Sequence, residues 1–377
     1  MAQAELIRPD RRLINRLKSA GGDTLKKCYQ CATCSVVCNL SPEDKPFPRK
    51  EMIWAQWGLT DRLVADPDVW LCHQCSDCTV NCPRGARPGD VMAAIRRFSF
   101  EYFAFPGFMG RLLSTPAGLP ILLLIPFLVI GLLAMTHNGW DLSVLMQHEV
   151  EYGLFVPHGW IEMLFIGGNL LIFLFAAVGL FRFYSGMQKS WQLKAKMGFI
   201  PALIATFFDI LFHTRFNKCE TSSYRKFAHQ LVFFGFFGAF ATAGLALILM
   251  IIAPDTYPPI PMTNPVKWLG NASGIAILWG VAIIVVKRSQ NDEISGKTTY
   301  GHQVFLWMLG IIAMTGLLMQ PCRWYDLRTA AYTVYFIHLM AVFYLLWYAP
   351  YSQFGHMFYR TLAMVYAKSV GREPRSQ

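Results

Sequence analysis

Charge is scarce in this chain of 377 residues: 15% are Asp, Glu, Lys or Arg and 54% are hydrophobic, whereas a soluble globular domain carries about 25% charge. That shortage excludes an ordinary soluble domain and points to a membrane protein. Other features are missing too. No G-x-G-x-x-G, nucleotide loop, flavin fingerprint or catalytic dyad occurs, so substrate chemistry away from the membrane is expected to belong to partner subunits. The opening "MAQAELIRPDRRLINRLKSA" has no apolar core of the length a signal peptide needs. Lys and Arg are absent from 137–158 and from 253–265.

Cysteine, by contrast, is concentrated. Cys28, Cys31, Cys34 and Cys38 repeat the spacing of Cys72, Cys75, Cys78 and Cys82. Two identical C-x2-C-x2-C-x3-C runs favour metal over a disulfide framework. Three cysteines at steps of three can converge on one cube-shaped cluster, and in the two-cluster ferredoxin pattern the fourth serves the other cluster. On that pattern Cys28, Cys31, Cys34 and Cys82 hold one 4Fe-4S centre, and Cys72, Cys75, Cys78 and Cys38 hold the second. Zinc is the competing reading, but four close cysteines per run, with Pro83 directly after Cys82, fit it poorly; Asn39 stands after Cys38, where that pattern has proline. Cys219 and Cys322 stand alone and are expected to be small apolar residues.

Between the quartets, Met52, Ile53, Trp57, Leu59 and Leu63 fall at helical spacing. With the paired quartets and the tryptophans ahead of the second, residues 20–100 resemble the small iron-sulfur subunit of heterodisulfide reductases, an all-helical ferredoxin. The expected fold class is therefore all-α: a helical two-cluster head over 1–100, an interfacial linker at 101–118, and a six-helix transmembrane cytochrome b bundle over 119–350. A tail at 351–377 would include the end of the last helix.

A hydrocarbon core of about 30 Å needs roughly 20 apolar residues in a helix. Six segments qualify, at 119–136, 159–181, 227–252, 266–286, 303–320 and 330–349. The loop from Arg182 to Lys226 is strongly basic while the alternate loops lack Lys and Arg, so the positive-inside rule puts both termini and the head in the cytoplasm. Thiols persist there. Within that loop, "FIPALIATFFDILFHTRF" is interrupted by Asp209, His213 and Arg215. It is expected to lie on the membrane surface as an amphipathic helix at 198–213, with Phe207, Phe208 and Leu211 toward lipid. The net charge of +11 collects at these membrane edges, which removes nucleic acid from the expected partners.

Histidines inside membrane helices mark functional candidates. His338 and His356 are 18 residues apart, five turns on one face of a continuous helix, with Pro350 between them. The stretch "HLMAVFYLLWYAPYSQFGH" resembles the last helix of the cytochrome b subunit of respiratory nitrate reductase. That resemblance implies two haems b. Matching depths gives His229 with His356 on the inner side, His302 being the rival to His229, and His158 with His338 on the outer side. His73, His137 and His148 are expected to be solvated. Glu162 is the expected quinol-side carboxylate, with Asp326 and Arg328 nearby in the outer region, and proximity to hydrocarbon should raise its pKa.

The fusion of both modules, over 20–365, resembles the C-subunit family of the quinone-interacting membrane-bound oxidoreductase complexes. The resemblance implies two flavin-bearing, heterodisulfide-reductase-like partners and electron exchange between menaquinone and adenylylsulfate reductase in dissimilatory sulfur metabolism, at the cytoplasmic membrane. Two alternatives stand beside it: a heterodisulfide-reductase or sulfite-linked membrane subunit, and a passive membrane anchor for an iron-sulfur protein.

Overall fold

The computed structural model describes residues 8–218, 223–254, 259–290 and 296–374; Cys219 lies outside the described residues. It is all-helical, with no strand among the described residues. In the head, Asp10 caps the helix Arg11–Leu17 by accepting from the Arg12 amide at 2.8 Å. Leu13 and Leu17 then turn inward onto Met52, Leu63, Val69, Trp70, Met92 and Ile95. The helix Pro88–Phe103 closes this core and leads toward the bilayer.

Among the described residues, six helices are long and apolar enough to cross a membrane: Gly118–His137, His158–Trp191, Tyr224–Ile252, Pro265–Gln290, Tyr300–Trp324 and Arg328–Trp347, taken here as spans one to six. Pro126 sits inside span one without ending it, as membrane helices tolerate. Spans three and four meet through glycine. A side chain at Gly235 would stand 2.9 Å from the Ser273 carbonyl, and one at Gly280 would stand 2.8 Å from that of Ala228, so small residues are what let these backbones approach.

A short apolar helix forms at Phe199–Leu211. Phe207 and Phe208 are exposed, whereas Leu211 is half-buried. Its other side rests on a separate C-terminal helix, His356–Ser369. That helix corrects the expectation of one continuous helix carrying His338 and His356. Span six ends at Trp347, two short 3-10 turns follow at Ala349–Tyr351 and Gln353–Gly355, and Ser352 between them is extended. Pro350 has no N–H to continue the ladder, so the helix restarts at His356 and the five-turn spacing does not apply.

The C-terminal helix also packs against the head helix Pro67–Leu71. Trp70 stacks on Tyr359 at 5.3 Å and meets Phe100 edge-on at 5.0 Å. Beyond it, Arg372 grips Asp68 through two nitrogens, at 2.7 and 2.5 Å. Lys50 joins Asp66 and Asp68 at 2.8 and 2.6 Å and also reaches Glu51. Head and membrane body are thus fastened by a buried network of charges.

Candidate redox centres

Both cysteine quartets are built alike. Gln30 and Ala32 in the first, and Gln74 and Ser76 in the second, take left-handed backbone conformations, and a single helical turn follows each, Thr33–Val36 and Asp77–Val80. These turns direct backbone amides at sulfur: Gln30 N–H to Cys28 Sγ at 3.4 Å, Gln74 N–H to Cys72 Sγ at 3.3 Å, Ala86 N–H to Cys82 Sγ at 3.4 Å. Such donors stabilise thiolate ligands.

Cys82 acts electrostatically on Cys28 and Cys34, while Cys38 is in reach of Cys72 and Cys75. Burial, reinforced by Cys28 and Cys31, pushes the Cys34 thiol up to about 12, and burial raises Cys38 strongly as well. Thiols so disfavoured as free anions need a cation among them to be held as thiolates. The donor set, four closely spaced cysteines in each run, fits a 4Fe-4S cluster.

The two quartets face different surroundings. Cys31 is exposed, with exposed Tyr29 and Val36 beside it. The second quartet is turned to the membrane body: Arg96 donates to the Cys72 carbonyl at 2.8 Å and to Gln74 Oε1 at 3.1 Å, and Arg225 of span three donates to the Gln74 carbonyl.

His229, His302 and His356 lie near helix ends on the side of the head. Of the charged groups around His229, His356 acts most strongly, and Arg225 is in reach. His302 shares Arg225 with His229 and Arg96 with His356. Each also has Nδ1 engaged, which leaves Nε2 to ligate. His356 Nδ1 meets the Gln353 carbonyl at 2.7 Å, His302 Nδ1 meets Thr299 Oγ1 at 2.8 Å, and His229 Nδ1 meets His213 Nε2 at 2.9 Å. Arg288, near His302, has a buried guanidinium nitrogen with no hydrogen-bond partner. An orphaned cation beside histidines suits the carboxylates of a haem.

His338 Nδ1 bonds Thr315 Oγ1 at 2.9 Å, with its ring against Gly316. His158 starts span two, and its Nε2 is buried without a partner, beside Gly153. No hydrogen bond or ring contact joins the two among the described residues. Glu162 is half-buried one turn beyond His158, and Asp326 accepts from the Val150 amide and pairs with Arg328.

Sequence reasoning missed two histidines. His73 is buried, not solvated, with both ring nitrogens unpartnered and its edge on Phe216 at 4.6 Å; burial and the surrounding arginines push its imidazole well below the ordinary value. His213, read only as an interruption of an amphipathic pattern, is the partner of His229. Their common signal was position, one beside Cys72 and the other at the end of the helix Phe199–Leu211.

These features define the class: an iron-sulfur electron-transfer subunit with six candidate membrane helices. Residues 24–86 match the family described as 4Fe-4S dicluster domain, and residues 112–377 match citrate utilization protein B. The chain belongs to the citrate utilization protein B family. It is 24% identical over 396 residues to citrate utilization protein B of Escherichia coli, covering 97% of this chain and 96% of that one. Its head is 35% identical over 105 residues to a protein of Archaeoglobus profundus that is itself like the C subunit of heterodisulfide reductase (28% of this chain, 56% of that one). It is 36% identical over 88 residues to the C subunit of the H(2):CoB-CoM heterodisulfide,ferredoxin reductase of Methanothermobacter marburgensis (23% and 47%). The chain spans about half the length of those heterodisulfide reductase relatives. No solved structure matches it.

Proposed function

We propose that this chain is the membrane subunit of a respiratory complex, carrying electrons between menaquinone and a soluble redox enzyme through two 4Fe-4S clusters and two haems b. The clusters and haems supply one-electron carriers; the chain's residues hold them in line. Cys28, Cys31, Cys34 and Cys82 hold the outward centre, facing soluble partners. Cys72, Cys75, Cys78 and Cys38 hold the centre next to the bilayer. His229 with His356 ligates the inner haem, with His302 as the rival to His229, and His158 with His338 ligates the outer one. Head and termini are cytoplasmic, in keeping with the basic inner loop, and the domain limits are those given by the sequence.

The observation that supports this reading is the grip of Arg96 and Arg225 on the second quartet, together with Phe216, which touches both His73 of that quartet and His229. Likeness of the head to the small iron-sulfur subunits of heterodisulfide reductases supports partners of that complex, and the resemblance of the fused modules supports two flavin-bearing subunits and adenylylsulfate reductase in dissimilatory sulfur metabolism. A second reading rests on the family match over 112–377: the same conduit serving citrate utilisation. Reduced-minus-oxidised spectra of the detergent-purified complex, with its protein composition, test both. A b-type band is expected; its absence leaves a passive anchor, and the co-purifying proteins decide between the partners.

A further inference from the structure

We propose that the groove between spans three and four holds an anionic phospholipid of the head-side leaflet, with one acyl chain lying in the groove and the phosphate meeting Lys287.

The groove has about 470 Å³ of space, within the roughly 300–1,000 Å³ of small-molecule sites. Phe227 and Leu231 line it from span three, and Ala272, Ala276, Trp279 and Ile283 line it from span four. Those four fall on one face of their helix. The two alanines, one turn apart, leave the depression that the larger side chains border. Phe227 and Trp279 are exposed, so the groove opens toward lipid.

Length selects the occupant. From Ala272 to Ile283 the helix axis rises about 16 Å, which matches one leaflet, half of the roughly 30 Å hydrocarbon core. A single acyl chain has that reach, whereas a partner's membrane helix needs the whole thickness.

Charge selects the headgroup. Lys287 follows Ile283 by one turn on the same face, and its Nζ stands 6.0 Å from the Tyr224 ring, so the two helices meet at this end of the groove. That end faces the head, because Arg225, next to Tyr224, donates to the Gln74 carbonyl. Lys226 and Arg288 lie at the same helix ends, and neither helix carries an Asp or Glu; the next acids in sequence, Asp292 and Glu293, lie outside the described residues. A lipid phosphate at this depth therefore meets an ammonium, an attraction worth about fivefold in binding for each lysine near an anionic surface. In span three only Ala228 and Gly235 are buried among the described residues. A lipid held against both helices thus steadies the one that carries His229.

The test places the full-length protein, with the subunits that co-purify, in phosphatidylcholine nanodiscs. Each preparation carries a trace of phosphatidylglycerol or of phosphatidylcholine with a diazirine on the acyl chain, and the crosslinked peptides are mapped. The phosphatidylglycerol probe is expected to label 227–231 and 272–283 several-fold more than the phosphatidylcholine probe. Lys287→Gln, at an exposed position that folding does not need, should cut that labelling by about fivefold. Ala276→Leu, which fills the groove, should remove label from 272–283 with both probes. Equal labelling by the two probes, phosphatidylglycerol labelling unchanged in Lys287→Gln, or label only outside the groove overturns the site. Exclusion of both probes together with crosslinked dimers puts a second copy of the chain there and overturns it as well.

Discussion

His213 and His229 meet nitrogen to nitrogen at 2.9 Å, joining the end of the helix Phe199–Leu211 to span three. A ligating histidine whose Nδ1–H is accepted by a neighbour is fixed in tautomer and ring orientation. His213→Ala is therefore expected to leave the inner haem in place but weaken its retention by about 10–100-fold, the usual cost of an outer-shell partner. It should also raise that haem's midpoint potential, because the ligand becomes less basic. Haem-loss kinetics and a redox titration read both; an unchanged potential would remove His213 from the haem environment.

The proposed crossing of the quartets makes the fourth cysteine diagnostic. Cys82→Ser should damage the centre held by Cys28, Cys31 and Cys34 and leave the other nearly intact. Paramagnetic resonance at graded potentials distinguishes the two signals, and damage confined to the Cys72 centre would refute the crossed arrangement.

His356→Ala and His229→Ala are expected to abolish the same haem, whereas His302→Ala should spare it. Low-temperature spectra of the three variants settle the matter. Should His302→Ala remove the haem that His356→Ala removes, His302 is the partner.

Arg372→Ala strips a buried carboxylate of its bidentate partner. Asp68 is fully buried, and breaking such a pair costs about 3–5 kcal/mol. Loosening should appear as earlier thermal unfolding of the head and faster proteolysis after Ser369. The pH dependence has a definite sign. Burial alone would push the Asp68 carboxyl up, but Lys50 and Arg372 outweigh it and hold it below the ordinary value. Its contribution is thus complete above the unfolded carboxyl pKa of about 3.9 and is lost as pH falls further. Glu51 acts oppositely: burial pushes its carboxyl well up, so its contribution is lost as pH rises. A head whose stability is flat below pH 4 would contradict the first assignment.

Much of this was legible because it is local. Cysteine spacing is a property of a dozen consecutive residues, and a membrane span announces itself by twenty; all six expected spans match in place, their ends shifting by a few residues except for span two, which runs on to Trp191. The break at Pro350 was visible as a proline, but the five-turn spacing of His338 and His356 was carried across it. What could not be read was docking. Nothing near His73 in sequence says that Phe216 and Arg225 will cover it, and nothing near Trp70 names Tyr359. Those contacts join residues more than 140 positions apart, through elements whose own patterns are silent about one another.

The seat of Trp70 has a consequence for biosynthesis. Its stacking partner Tyr359 lies beyond all six spans, so a ribosome releases the head long before the surface that covers it exists. At about 5–20 residues per second the interval is on the order of tens of seconds. During it the aromatic face around Trp70 and the buried carboxylates near Lys50 are open to whatever delivers iron and sulfur to the head, and docking of the C-terminal helix then closes that window.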